Sequence, residues 1–169
     1  MASMESIIFK ACKEPEAASE IEQLGYPADE AASLEALQCR YELAPELFYG
    51  AYREGALIGF VSATKSASDA LDHQSMSSHN PTGSLICLHS VCVHPTYQRC
   101  GVATQLMTQF IEYVTRMKNE GTPLKKIAII SHDHLLGWYQ KLGFKLLGPS
   151  SVAHGPNPWF DLEYELESF

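Results

Sequence analysis

Residues 87–95 read CLHSVCVHP, placing two cysteines and two histidines in one short stretch. Cys87, His89, Cys92 and His94 are all residue types that ligate zinc, and both kinds of side chain can also exchange a proton. The apolar residues around them read as a buried strand, and a strand alternates its faces. A regular strand puts Cys87 and His89 on one face, Cys92 and His94 on the other. Ligands divided in this way do not close tetrahedrally on one ion, and structural zinc sites are built from two separated pairs on turns. No metal is expected. What remains is an imidazole, His89, that exchanges a proton near neutral pH, among thiols that pack as small apolar groups.

The strand runs on into VHPTYQRCGVATQLM. Pro95 ends it, and Gln98-Arg99-Cys100-Gly101-Val102-Ala103-Thr104 opens a long amphipathic helix. Val102, Leu106, Phe110, Ile111 and Val114 form its apolar face. A small-residue turn at a helix start presents backbone N–H groups that lack intrahelical acceptors, and the helix dipole adds partial positive charge. Such a cradle suits a pyrophosphate. Gly101 permits close approach or positive φ, and Arg99 adds a charge-assisted contact.

The elements that must position these groups follow from the rest of the chain. Its 169 residues, 46% hydrophobic and 19% charged, suit one globular domain over residues 1–169. The net charge of −8 argues against nucleic acid or an anionic membrane as the main partner. The apolar runs are shorter than a membrane span, and no signal peptide is read. Five cysteines without a disulfide-like pattern point to reduced thiols and a cytoplasmic location. The pattern reads β–α–α–β–β–β–α–β–α–β–β. Residues 6–12 form the first strand, Gly25 and Pro27 end the first helix, and Asp29 opens the second. A hairpin turns on Gly55. The Ser-rich residues 66–83 read as a mobile loop. LKKIAII, GFKLLG and WFDLEYEL are the last strands, and HDHLLGWYQKL is a helix whose His132 and His134 take helix-start or surface roles. One sheet carries helices on its faces, so a ligand belongs beyond the carboxyl ends of the central strands.

LHSVCVHPTYQRCGVATQLM, followed by LLGWYQKLGFKLLGPS, resembles the acetyl-CoA-binding core of the GNAT superfamily. Within it the likeness is to the arylalkylamine (serotonin) N-acetyltransferase family, non-vertebrate type. GYPADEAAS and APELFYGAYREGALIGF resemble that family's N-terminal half, and residues 66–83 are the main stretch left outside the likeness. The resemblance implies an α/β (α+β) fold: a mixed, mostly antiparallel sheet of about seven strands with about four helices, its central strands splayed to hold acetyl-CoA. It implies transfer of acetyl from acetyl-CoA directly to the primary amine of a small molecule, an arylalkylamine or a polyamine; a monomer is expected, with an oligomer left open. An amine with a pKa near ~10 must lose a proton before it attacks. The resemblance places that step on His89, through water. Cys87 stands where the vertebrate pattern has a second histidine; as the poorer base it is expected to shape the pocket wall. Tyr139 is placed to protonate the departing sulfur. The backbone at Val91, Cys92 and Val93 pairs with the pantetheine arm as an added strand, and Gln98 to Thr104 hold the pyrophosphate. Pro27, Leu34, Ile130 and Trp159 line the amine pocket. The alternatives are a protein or peptide N-acetyltransferase, which needs an open groove, and a catalytically silent acetyl-CoA-binding module, against which His89 and Tyr139 argue.

Overall fold

The computed structural model describes residues 6–152 and 155–166. Seven strands form one sheet in the order β1-β2-β3-β4-β5-β7-β6. In chain order the elements are β1 (Ile7–Ala11), α1 (Pro15–Gly25), α2 (Leu34–Leu43), β2 (Phe48–Arg53), β3 (Ala56–Ser66), α3 (His73–Ser77), β4 (Leu85–Val93), α4 (Val102–Asn119), β5 (Lys126–Ser131), α5 (Leu136–Lys141), β6 (Lys145–Pro149) and β7 (Phe160–Glu165). The pairs β1–β2, β2–β3, β5–β7 and β6–β7 are antiparallel, whereas β4–β5 is parallel. The mostly antiparallel sheet follows the expectation, and the described residues form five α-helices where about four were expected. The chain divides into two compact units, residues 1–63 with 90–110 and residues 64–89 with 111–169.

In the first unit, β2 is buried on both faces. Phe48 stacks on Phe60 with ring centroids 5.6 Å apart and joins Cys12, Ala18, Ile21, Leu37 and Cys92 in a core under α1 and α2. Tyr49, the next residue, meets Phe110 of α4 instead, at 6.0 Å. This is the period-two alternation of a strand between two helical layers. Pro15 starts α1, where its missing N–H costs nothing. The helix stops at Tyr26, held extended (φ −123, ψ 149) by the proline that follows. The second helix begins later than expected: residues 27–31 form a turn, with the Glu30 and Ala31 N–H groups both donating to the Pro27 carbonyl. Ser33, not Asp29, caps α2 by accepting the Ala36 N–H at 3.1 Å. Glu54 (φ 52) and Gly55 (φ 80) are both left-handed, as two-residue hairpin turns require.

An ionisable side chain is buried in this unit. Glu22 of α1 is 2% exposed, and its Oε2 accepts the Ala32 N–H at 3.1 Å. Burial pushes its pKa up, against the opposing effects of the Ser90 hydroxyl, the Ala32 N–H and the Arg40 charge.

In the second unit, β7 is the hub. It pairs with β5 over six residues, Lys126–Ser131 against Glu165–Phe160, and with β6 on its other edge. The parallel β4–β5 ladder covers only Leu85–Cys87 against Lys126–Ala128, although β4 continues to Val93 and β5 to Ser131. The two central strands thus part toward their carboxyl ends. Residues 66–83 differ from the mobile loop expected of them. Asp72 caps α3 reciprocally: its Oδ1 accepts the Ser75 N–H at 2.7 Å, and Ser75 Oγ accepts the Asp72 N–H at 2.8 Å. The following residues return to β3, where His79 Nδ1 accepts the Lys65 N–H at 3.0 Å and the Asn80 N–H donates to the Lys65 carbonyl at 2.8 Å.

Candidate active site

His89 lies on β4 two residues beyond the end of the β5 ladder. Its Nε2 is 2.7 Å from Oγ1 of Thr64 on β3. Thr64 is 2% exposed and His89 half-buried, and the bond restrains the ring's orientation. Sequence reasoning missed Thr64. Cys87 is fully buried (0%), and burial pushes its thiol up to about 11, the Ser75 hydroxyl partly opposing this. It stays a neutral thiol near pH 7.

The four residues that first drew attention have separate partners. Cys87 meets Ser75 and His89 meets Thr64. Cys92 donates its thiol to the Ile21 carbonyl at 3.4 Å, and burial raises its pKa to about 12. His94 Nδ1 accepts the Thr96 N–H at 3.1 Å, capping the turn that follows β4.

Tyr139 sits on α5, 4% exposed, edge-on to Trp138 at 4.8 Å and to Phe144 at 5.4 Å. Burial raises its pKa well above the ordinary phenol value, so the hydroxyl keeps its proton across the physiological range and is held as a donor. Helix α5 is preceded by a short turn over Asp133–Leu135 rather than extending through it.

Ile130 and Trp159 come together. An apolar cluster of Leu71, Leu85, Cys87, Ala128, Ile130 and Val152 has Met76 and Trp159 packed against it. The His132 ring lies against Trp159 with centroids 3.7 Å apart and planes tilted by 31°, and its Nδ1 lies 2.8 Å from the Pro158 carbonyl oxygen. The histidine thus orients the indole, a tie between distant segments that local sequence does not reveal. The other two residues expected on the amine side belong to the first unit: Pro27 heads the turn before α2, and Leu34 is 40% exposed at the start of that helix.

The first unit also carries the loop expected to hold the pyrophosphate. Residues 98–101 are exposed. Arg99 (φ 61) and Gly101 (φ 81) are both left-handed, folding the chain back onto the start of α4. Strain of this kind in a non-glycine residue clusters at ligand clamps. Gly101 provides the first carbonyl of the helix, accepting the Gln105 N–H at 3.1 Å, so the amides of Val102 and Ala103 have no acceptor inside it. The Val93 carbonyl accepts Gln98 Nε2–H at 3.1 Å and the Val91 carbonyl accepts the Tyr26 hydroxyl at 3.2 Å. A carbonyl has two lone pairs, so each retains capacity for a second donor.

Residues 44–146, which include the parting strands, the exposed turn and the long helix, match the acetyltransferase (GNAT) domain. The chain belongs to this family. Among curated proteins it is similar to the serotonin N-acetyltransferases of Mesocricetus auratus, 27% identical over 124 residues, and of Homo sapiens, 23% identical over 124 residues. Each match spans 73% of this chain and 58% of the relative's length. Among solved structures, a GNAT-like decarboxylase in complex with isobutyryl-CoA superposes with a TM-score of 0.79 at 16% identity, covering 95% of this chain and 99% of that one. The ribosomal-protein-S18-alanine N-acetyltransferase of Escherichia coli gives 0.69 at 14%, covering 96% of each chain. No helix among the described residues is long and apolar enough to cross a membrane.

Proposed function

We propose that this protein transfers acetyl from acetyl-CoA directly to the primary amine of a small molecule. The observation that carries the reading is the 2.7 Å contact between Thr64 and His89, which holds an imidazole at fixed orientation on the strand that leads into the pyrophosphate loop. With Nε2–H donating to Thr64 Oγ1, the lone pair lies on Nδ1. His89 then takes the proton of the attacking ammonium through water. The amine nitrogen bonds to the thioester carbonyl carbon, the carbon–sulfur bond breaks as Tyr139 gives its phenolic proton to the departing sulfur, and the nitrogen's second proton passes through water to the Tyr139 phenolate, restoring it. Val102 and Ala103 N–H groups, with Arg99, hold the pyrophosphate, and the backbone of Val91, Cys92 and Val93 meets the pantetheine arm. Cys87, sealed and protonated, serves as wall rather than relay. The similarity to serotonin N-acetyltransferases supports an arylalkylamine as the acceptor, with a polyamine as the alternative. The neutral, buried thiol at Cys87 favours direct transfer to an external amine over a covalent cysteine intermediate.

His89→Gln tests this. It keeps a polar side chain of similar reach but has no titrating base. The variant is expected to lose kcat on the order of 10²-fold or more, together with the limb on which activity rises with pH. Wild-type activity with an unchanged pH–rate profile would remove His89 from the chemistry.

A further inference from the structure

The connection between β3 and β4 is a built element. The Ser68 N–H donates to Ser66 Oγ at 3.0 Å, Asp72 and Ser75 cap α3 reciprocally, and His79 and Asn80 bond back to Lys65. This fixed segment carries Leu71 and Met76 to the cluster that contains Cys87 and Ile130, with Trp159 at its edge. Most of the cluster is sealed: Cys87 and Val152 are 0% exposed, and Leu71 and Ile130 are each 7%. Met76 and Trp159 are its half-buried members. A molecule that reaches this cluster therefore meets a thioether and an indole. The Asp72 carboxylate of α3's cap is already committed to the Ser75 N–H at 2.7 Å and to the Ser68 hydroxyl at 3.5 Å.

Resting on the reading of Ile130 and Trp159 as the acceptor side, we infer that α3 is a further wall of the amine site and that Met76 determines which amine bodies fit. The wall selects by shape and apolar area, since its carboxylate is engaged within the segment. An unbranched thioether beside an aromatic ring suits this task, because it adapts its rotamers to ligands of different outline. One or two methylenes in such a contact discriminate by roughly 10- to 200-fold.

The test compares kcat/KM for tryptamine and for phenethylamine, with acetyl-CoA as donor, in the wild type, Met76→Ala, Met76→Leu and Gln74→Ala. Met76 is only half-buried, so its truncation leaves the fold intact, and circular dichroism checks this. Met76→Ala is expected to raise the tryptamine-to-phenethylamine ratio by about tenfold, chiefly through the KM values for the amines, with the KM for acetyl-CoA unchanged. Met76→Leu and Gln74→Ala, the latter on the exposed side of the same helix, keep the wild-type ratio. Turnover of both amines by Met76→Ala at the wild-type ratio would overturn this inference while leaving the acetyltransferase reading in place. A wild type that acetylates neither amine would overturn that reading, and this inference with it.

Discussion

Replacing Thr64 by valine isolates the contact on which the mechanism depends. The two side chains have nearly the same shape, so the change exchanges a hydroxyl for a methyl at a position 2% exposed and 2.7 Å from His89 Nε2. A buried polar group stripped of its partner costs about 1–3 kcal/mol. The imidazole either bears that cost in its present orientation or escapes it by turning or by moving its proton to Nδ1, the nitrogen required as base. Both routes deplete the productive state by the same energy. At 1.36 kcal/mol per decade, kcat falls by about 5- to 150-fold, while the KM for acetyl-CoA stays as it was. Thr64→Ser restores the hydroxyl and most of the rate. The assay is thiol release from acetyl-CoA with tryptamine, run with a pre-steady-state phase to establish that chemistry limits kcat. A Thr64→Val enzyme with wild-type kcat and an unaltered pH–rate profile would refute the positioning role.

Cys39 and Cys100 are exposed, while Cys12, Cys87 and Cys92 are buried with their thiols pushed up by desolvation. N-ethylmaleimide should therefore modify the two exposed thiols, and a bulky adduct on Cys100, within the exposed turn before α4, should block activity. Acetyl-CoA protects and Cys100→Ser resists, whereas Cys39→Ser remains sensitive; equal inactivation of Cys100→Ser would contradict the loop's assignment. Glu22 gives a pH prediction. Its folded-state pKa is raised, so over the interval from the ordinary carboxylate value up to the raised one the folded state binds more protons than the unfolded chain, and stability falls as pH rises. Glu22→Gln keeps an acceptor for the Ala32 N–H and removes that dependence. Melting temperatures of the two proteins should diverge across this interval, with the variant gaining on the wild type; parallel curves would show that Glu22 does not titrate anomalously.

Much of this architecture was legible locally. Apolar runs and glycine-proline punctuation located the strands, Glu54-Gly55 marked the hairpin, and the motif after Pro95 marked the start of α4. His89 stood out by residue type and by its place on a central strand. Thr64 did not, because its role comes from the register of β3 against β4 across a separation of 25 residues, and ATKS offers no local sign of it. His132 is similar: its ring contact with Trp159 joins segments that are distant in the chain. Serine content made residues 66–83 read as loop, although Asp72 and Ser75 already held a capping signature. A five-residue helix is too short for periodicity to reveal. Composition likewise identified Cys87 as a candidate but not its complete burial, which depends on Leu71 and Ser75 reaching it.

The most direct measurement incubates the purified protein with acetyl-CoA and, in turn, tryptamine, serotonin, phenethylamine, spermidine and lysine, following thiol release and identifying products by mass. The account predicts thiol release matched one-for-one by an N-acetylated amine, with an arylalkylamine among the acceptors. No turnover of any primary amine in the panel would contradict it.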